Sequence, residues 1–140
     1  MTSDSFSSSL RAYRERGFFK EIKILRGIER ESLRVDKNGK ISQKNHPKNL
    51  GSPLTNSDIT TDFAEALVEL VTPTFESPEE LFDHLNLLHR FLYSELVDEM
   101  LWNFSMPCAF TNEKEIRIAE YGNSNSGMLK HCLLYTSPSP

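Results

Sequence analysis

The apolar positions of this chain change their period along its length, and each change marks a change of element. Leu10, Tyr13 and Phe18 fall at roughly helical spacing among Arg, Glu and Lys, which predicts a short helix over residues 10–19. The preceding residues 1–9 are polar and Ser-rich and are expected to fray. From Ile22 the spacing shifts. Ile24, Ile28, Leu33 and Val35 lead into Asp36-Lys37-Asn38-Gly39 and then Lys40-Ile41-Ser42, the pattern of a β-hairpin. Asn-Gly is expected to turn as a type I′ pair, because both residues tolerate positive φ. On the first strand Glu29, Glu31, Leu33 and Val35 would share one face.

Residues 43–58 are rich in Asn, Pro, Gly and Ser and read as a long surface connection. Thr60-Thr61-Asp62 reads as a turn leading into a buried strand over residues 66–72, whose β-branched, apolar run stops at Pro73. The clearest helix begins at Ser77, with Pro78 at its first position and Glu80 completing a capping-box pattern. Leu81, Leu85, Leu88, Leu92 and Leu96 form one stripe on that helix, which must cover a core. Beyond Trp102 the chain reads as loop, including the Gly- and Asn-rich residues 122–127, and the last eight residues end in a Pro/Ser tail without a closing element. Together these elements predict an α+β fold, a partial antiparallel sheet with packed helices.

Composition narrows the functional classes. A length of 140 residues with 38% hydrophobic content suits one domain at most. A formal net charge of −4 and a pI near 5.6 lack the basic footprint of a nucleic-acid binder. Neither a secretory leader nor a membrane span is evident, and cytoplasmic localisation is expected. Cys108 and Cys132 have neither metal-ligand spacing nor disulfide density, which makes a reducing compartment the default.

Two groups of carboxylates could carry chemistry. Glu29 and Glu31 would stand about 7 Å apart along one strand face, where hard oxygen ligands can hold Mg²⁺ against a nucleotide. A solvent-facing strand of alternating charge would look the same. Asp62, Glu65 and Glu69 form the second group. Glu69 lies among Leu67, Val68, Leu70 and Val71, and a carboxylate in a buried strand is costly unless paired or bound to metal. An edge strand with Glu69 in water, or a short amphipathic helix wetting all three, remains open beside that reading. His84 and His89 are five residues apart on the capped helix, so they share no metal-binding face. The run around Gly122 lacks the spacing and the Lys of a P-loop, and Cys108 reads as a small buried hydrophobe.

In order along the chain, RGIERESLRVDKNGKI, NHPKNLGSPLTNSDITTDFAEALVELVTP, LHRF, WNFSMPC and EYGNSNSG resemble the N-terminal part of the bacterial glutamate-cysteine ligase family, over about residues 27–130. The resemblance implies a glutamine synthetase-like fold in which an antiparallel sheet curves around ATP, glutamate, cysteine and Mg²⁺, with Mn²⁺ as a substitute. It implies that Glu29, Glu31, Asp62 and Glu69 are metal ligands, that Phe63 lies near the cysteine pocket, and that ATP is a substrate. The activity implied is ATP-dependent joining of the glutamate γ-carboxylate to cysteine through a γ-glutamyl phosphate. Another carboxylate–amine ligase of the same superfamily, or a non-catalytic interaction module docking through the Ser77-capped helix, are the rival readings. Oligomeric state is not legible.

The expected organisation is a Ser-rich segment with a short helix at 1–20, the N-terminal part of the ligase domain at 21–132, and a foreign tail at 133–140. The family normally continues with Tyr-Arg soon after the Lys matching Lys130, whereas this chain has His131-Cys132-Leu133-Leu134-Tyr135. A lone fragment is expected to lack ligase activity and to leave strand edges and part of its Leu stripe without partners. The genomic frame after the Lys130 codon checks the tail: continuation with Tyr-Arg would mark it as artefact, and a stop after Pro140 would leave the ancestry without the catalysis.

Overall fold

Antiparallel strand pairing organises the chain, as expected. The computed structural model describes residues 3–20 and 22–136. Its elements are helix α1 (Ser3–Glu15), strand β1 (Glu29–Val35), strands β2 (Ile59–Thr61) and β3 (Leu67–Val71), helix α2 (Pro78–Glu95), strand β4 (Met100–Trp102) and helix α3 (Asn125–Thr136). The four strands form one sheet in the order β2-β3-β1-β4, every pair antiparallel. Short 3₁₀ turns lie at Phe18–Lys20, Lys48–Leu50 and Glu113–Glu115.

The alternation of side chains divides the sheet into two faces. Ile59, Val68, Leu70 and Leu101 point to one face, where they pack with Leu50 against Leu88 and Leu92 of α2. The stripe on α2 is therefore covered within this chain: Leu81, Leu88 and Leu92 are buried, and Leu85 and Leu96 pack against the same core. The expectation that part of the stripe would lack partners is corrected at Leu81, Leu88 and Leu92, while Leu85 and Leu96 stay half-buried. Ser77 caps α2 as expected, its hydroxyl accepting the Glu80 amide at 3.2 Å. On the opposite face Val35, Ile41, Ala66 and Cys108 form a smaller cluster flanked by Leu33, Trp102 and Ile116. That cluster closes one end of the face and leaves the Glu29 end open.

Several local expectations are corrected. The Ser-rich start is helical from Ser3, because the Ser8 and Ser9 hydroxyls donate back to the Ser5 carbonyl at 3.0 and 2.9 Å and so satisfy themselves within the helix. The remaining residues 1–2 lie outside the described residues. The turn after β1 is not type I′: Gly39 has φ of 76°, while Asn38 does not adopt positive φ. The Gly39 amide bonds to the Asp36 carbonyl and the Asp36 amide to the Lys40 carbonyl, a three-residue loop closed by a left-handed glycine. The Asp36 carboxylate accepts the Asn38 and Lys40 amides at 2.8 and 2.9 Å, and these bonds hold its pKa below the usual carboxylate range.

Residues 59–61 are a strand rather than a turn, since β2 is completed by pairing with β3. The same is true of β4, which alternation could not reveal in so short a segment. The Gly- and Asn-rich stretch ends in a helix, not a loop: Ser124 caps α3, its hydroxyl accepting the Gly127 amide at 3.0 Å. Gly127 permits the close seat of that helix, because a Cβ there would stand 2.3 Å from the Tyr121 carbonyl oxygen. Helix α3 runs into the expected tail as far as Thr136; residues 137–140 lie outside the described residues.

Two buried ionisable residues hold the connections in place. Arg34 is fully buried and pairs with Glu99 at 2.8 Å, and its other donors reach the carbonyls of Lys44, Asn45 and Glu65. The Glu65 carboxylate accepts the His46 amide at 2.8 Å and the Glu120 amide at 2.7 Å. Beside this network His46 is buried, and neither ring nitrogen has a hydrogen-bond partner among the described residues. Burial first, and then the Arg34 charge, push its pKa down from 6.5 to about 4.

Glu99→Gln is expected to cost about 3–5 kcal/mol, because it removes the carboxylate paired with the buried guanidinium, and a lower urea midpoint at unchanged m-value would show it. His46 gives a pH signature. Its folded pKa lies below its unfolded value, so the unfolded state binds the proton first and stability falls as pH drops from 6.5 towards about 4. The loss should approach roughly 3 kcal/mol, and denaturant titrations of His46→Gln across that window should show it flattened.

Candidate functional site

The carboxylates singled out in the sequence lie on the sheet face opposite α2. Strand β3 is interior, paired on both sides, which excludes both the edge strand and the helix as homes for Glu69. The register sets Glu31 directly opposite Glu69 and Thr60 opposite Glu69 on its other side. Glu29 faces Val71 and so lies on the diagonal from Glu69. The expectation that Glu29 and Glu69 would face one another is thus shifted by two residues along β1: Glu31 takes that position. Directly opposed residues have Cβ atoms roughly 5 Å apart, and diagonal ones roughly 7 Å. Asp62 follows immediately after the last residue of β2.

The electrostatics agree with this convergence. Glu69 is half-buried, and its pKa is raised by burial first, then by the charges of Asp62, Glu31 and Glu29. Lys130 acts in the opposite direction. Like charges directly opposite in a sheet destabilise it, so the face carries a standing repulsion. Glu29 and Glu31 are exposed, which keeps their oxygens reachable from solvent.

A hard divalent cation suits this donor set. Among the described residues no three His, Cys, Asp or Glu side chains are gathered closely enough to hold a metal ion by themselves. Mg²⁺ is usually held by one or two carboxylates with phosphate oxygens and waters filling its remaining positions. The face fits a cation shared with a phosphate, and does not form a closed protein cage.

Phe63 stands next to Asp62 with its ring exposed, and its carbonyl accepts the Ala119 amide at 3.0 Å. Tyr121 contributes what the sequence reading missed. Its buried hydroxyl donates to the carbonyls of Thr61 at 3.1 Å and Asp62 at 2.7 Å, pinning the strand end that carries Asp62. Glu65, grouped in the sequence with Asp62 and Glu69, is instead the buried clamp between residues 46 and 120. His84 and His89 are structural: His84 lies 3.8 Å from Asp58, and His89 bonds Arg30 beneath the sheet. The groove lined by Arg117, Ile118, Tyr121, Met128 and His131 beside α3 contains none of the four carboxylates.

Comparison with known proteins places the chain in a family. Residues 9–136 match the family described as Glutamate-cysteine ligase. The glutamate-cysteine ligase of Pseudomonas putida strain W619 is 53% identical over 107 residues, covering 76% of this chain and 20% of that protein. That of Bordetella petrii is 54% identical over the same length. The chain thus spans about a fifth of the length of the curated relatives it matches. Among solved structures, the Francisella tularensis glutamate-cysteine ligase in complex with AMP matches with a TM-score of 0.73 at 44% identity, covering 76% of this chain and 22% of that one. A bifunctional glutathione synthetase from Pasteurella multocida matches with a TM-score of 0.64 at 36% identity, covering 67% and 13%.

Glu69→Gln should relieve the repulsion. The folded pKa of Glu69 lies above its unfolded value of 4.5, so stability falls as pH rises through 4.5 and stays lower once folded Glu69 ionises. At neutral pH and without added metal, the variant is expected to be more stable by up to about 1 kcal/mol after solvent screening, and thermal melts at pH 4 and pH 7.5 check it.

Proposed function

The chain belongs to the glutamate-cysteine ligase family, and from that premise we propose that it supplies the acidic face on which ATP-dependent ligation of L-glutamate to L-cysteine takes place. The observation that carries the reading is the direct opposition of Glu31 and Glu69 on interior strands, with Glu29 and Asp62 adding like charge to the same place. Glu29, Glu31, Asp62 and Glu69 would hold Mg²⁺ or Mn²⁺. Such ions neutralise phosphate oxygens during phosphoryl transfer. The work of the chain is positional. The paired β3 strand holds Glu69 in register, and the Tyr121 hydroxyl fixes the backbone beside Asp62.

In this reading ATP phosphorylates the γ-carboxylate of glutamate, and the amine of cysteine then displaces phosphate to give γ-glutamylcysteine. Phe63, exposed beside Asp62, would lie towards the cysteine side. The AMP held by the Francisella protein supports an adenine nucleotide as the phosphoryl donor. The substrates are small molecules, and the setting proposed is cytoplasmic; no helix among the described residues is long and apolar enough to cross a membrane. Residues 21–132 are assigned to the ligase domain, residues 1–20 to a leading segment and residues 133–140 to a tail, while the family match runs from residue 9 to residue 136 and so reaches into both flanks. The chain by itself contributes one face and is expected to be catalytically silent.

Paramagnetic titration with Mn²⁺ tests the metal assignment. The chain should bind Mn²⁺, and Glu31→Gln combined with Glu69→Gln should weaken binding by roughly tenfold or more. Equal binding by the double variant would refute the assignment. Phosphate release from ATP with glutamate and cysteine should be absent, and turnover by the purified chain would overturn the expected silence.

A further inference from the structure

Lys130 is held by an aromatic ring and by none of the ion pairs among the described residues. Lys130 is half-buried on α3, with its ammonium 4.4 Å from the centroid of the Tyr121 ring. That ring is held rigidly by its hydroxyl bonds to Thr61 and Asp62. The helix carrying Lys130 is fixed as well, by the Ser124 cap, by the close contact at Gly127 and by a 2.9 Å bond between the His131 ring and the Ala119 carbonyl. A cation over an aromatic face is retained there by the ring quadrupole. Lys130 is therefore anchored beside the strand end that carries Asp62, at one margin of the acidic face. No carboxylate among the described residues lies within ion-pair distance of it. The carboxylate oxygens are consequently left uncovered for a ligand.

A fixed ammonium at the Asp62 margin of an acidic face has opposite effects on two kinds of visitor. It weakens the attraction of the face for a lone divalent cation, and it attracts the phosphate oxygens that would accompany that cation. Building on the acidic-face reading above, we propose that Lys130 is a positioning residue which keeps the face from filling with divalent cation until a polyphosphate arrives. Tyr121 sets its place.

The test is Mn²⁺ binding without nucleotide, followed by paramagnetic titration of the whole chain. Lys130→Met should bind Mn²⁺ roughly three- to tenfold more tightly than the parent, Lys130→Arg should match the parent, and raised salt should shrink the difference. A merely structural role for Lys130 would not tighten binding or respond to salt. Unchanged or weaker binding by Lys130→Met overturns the proposal while leaving the acidic-face reading intact. Absence of binding by every chain, parent included, overturns both. Should the Met variant fail to fold, Lys130→Gln carries the same expectations.

Discussion

The Arg34 guanidinium is the constraint on which the rest of the architecture depends. A charge removed from water needs partners close by, and the two terminal nitrogens of Arg34 have them in the Glu99 carboxylate and the carbonyls of Lys44, Asn45 and Glu65. These partners come from the connection after β1, from the turn before β3 and from the approach to β4. One side chain thereby orders three segments that make few regular backbone pairs of their own. Glu65 extends the arrangement, its two carboxylate oxygens holding the backbone at His46 and at Glu120. The strand end at Asp62 and the segment leading to Tyr121 are positioned from there. The hydrogen bonds of Arg34 and Glu65 thus connect the helix-covered core to the carboxylate face.

Where a signal was local, it was legible. The Ser77 cap and the leucine stripe of α2 rest on side chains within a few residues of one another, and both are present in the fold. The same holds for β3, whose apolar β-branched run and terminal proline need no distant partner to be read. Glu69 was conspicuous because it interrupts that run. The α+β class with its antiparallel sheet followed from these elements, and the family motifs carried the remainder of the assignment.

What escaped depends on distant partners. Strands β2 and β4 have three residues each and exist through their neighbours. The helix at Asn125–Thr136 was obscured by Gly and Asn, residues that favour loops in isolation, although Ser124 with the amide of Gly127 was a local cap signal that could have been weighed. The roles of Tyr121, Glu65 and Lys130 arise from contacts with other segments, 55 and 60 residues away for the bonds of Glu65 to Glu120 and of Tyr121 to Thr61, and no spacing rule encodes them. The two-residue offset that sets Glu31 rather than Glu29 opposite Glu69 is of the same kind, since both lie on one face and the pairing between strands distant in sequence decides between them.

That register carries a safeguard. Because successive residues of β3 alternate between the helix-covered core and the open face, a slip of one position would drive Glu69 into the apolar layer and expose Leu70 to water. The error would bury an ionised carboxylate among leucines, a far larger penalty than mispairing two neutral residues. The residue that makes the native face electrostatically uncomfortable thus also proofreads the sheet, by making the nearest wrong assembly of these strands more uncomfortable still.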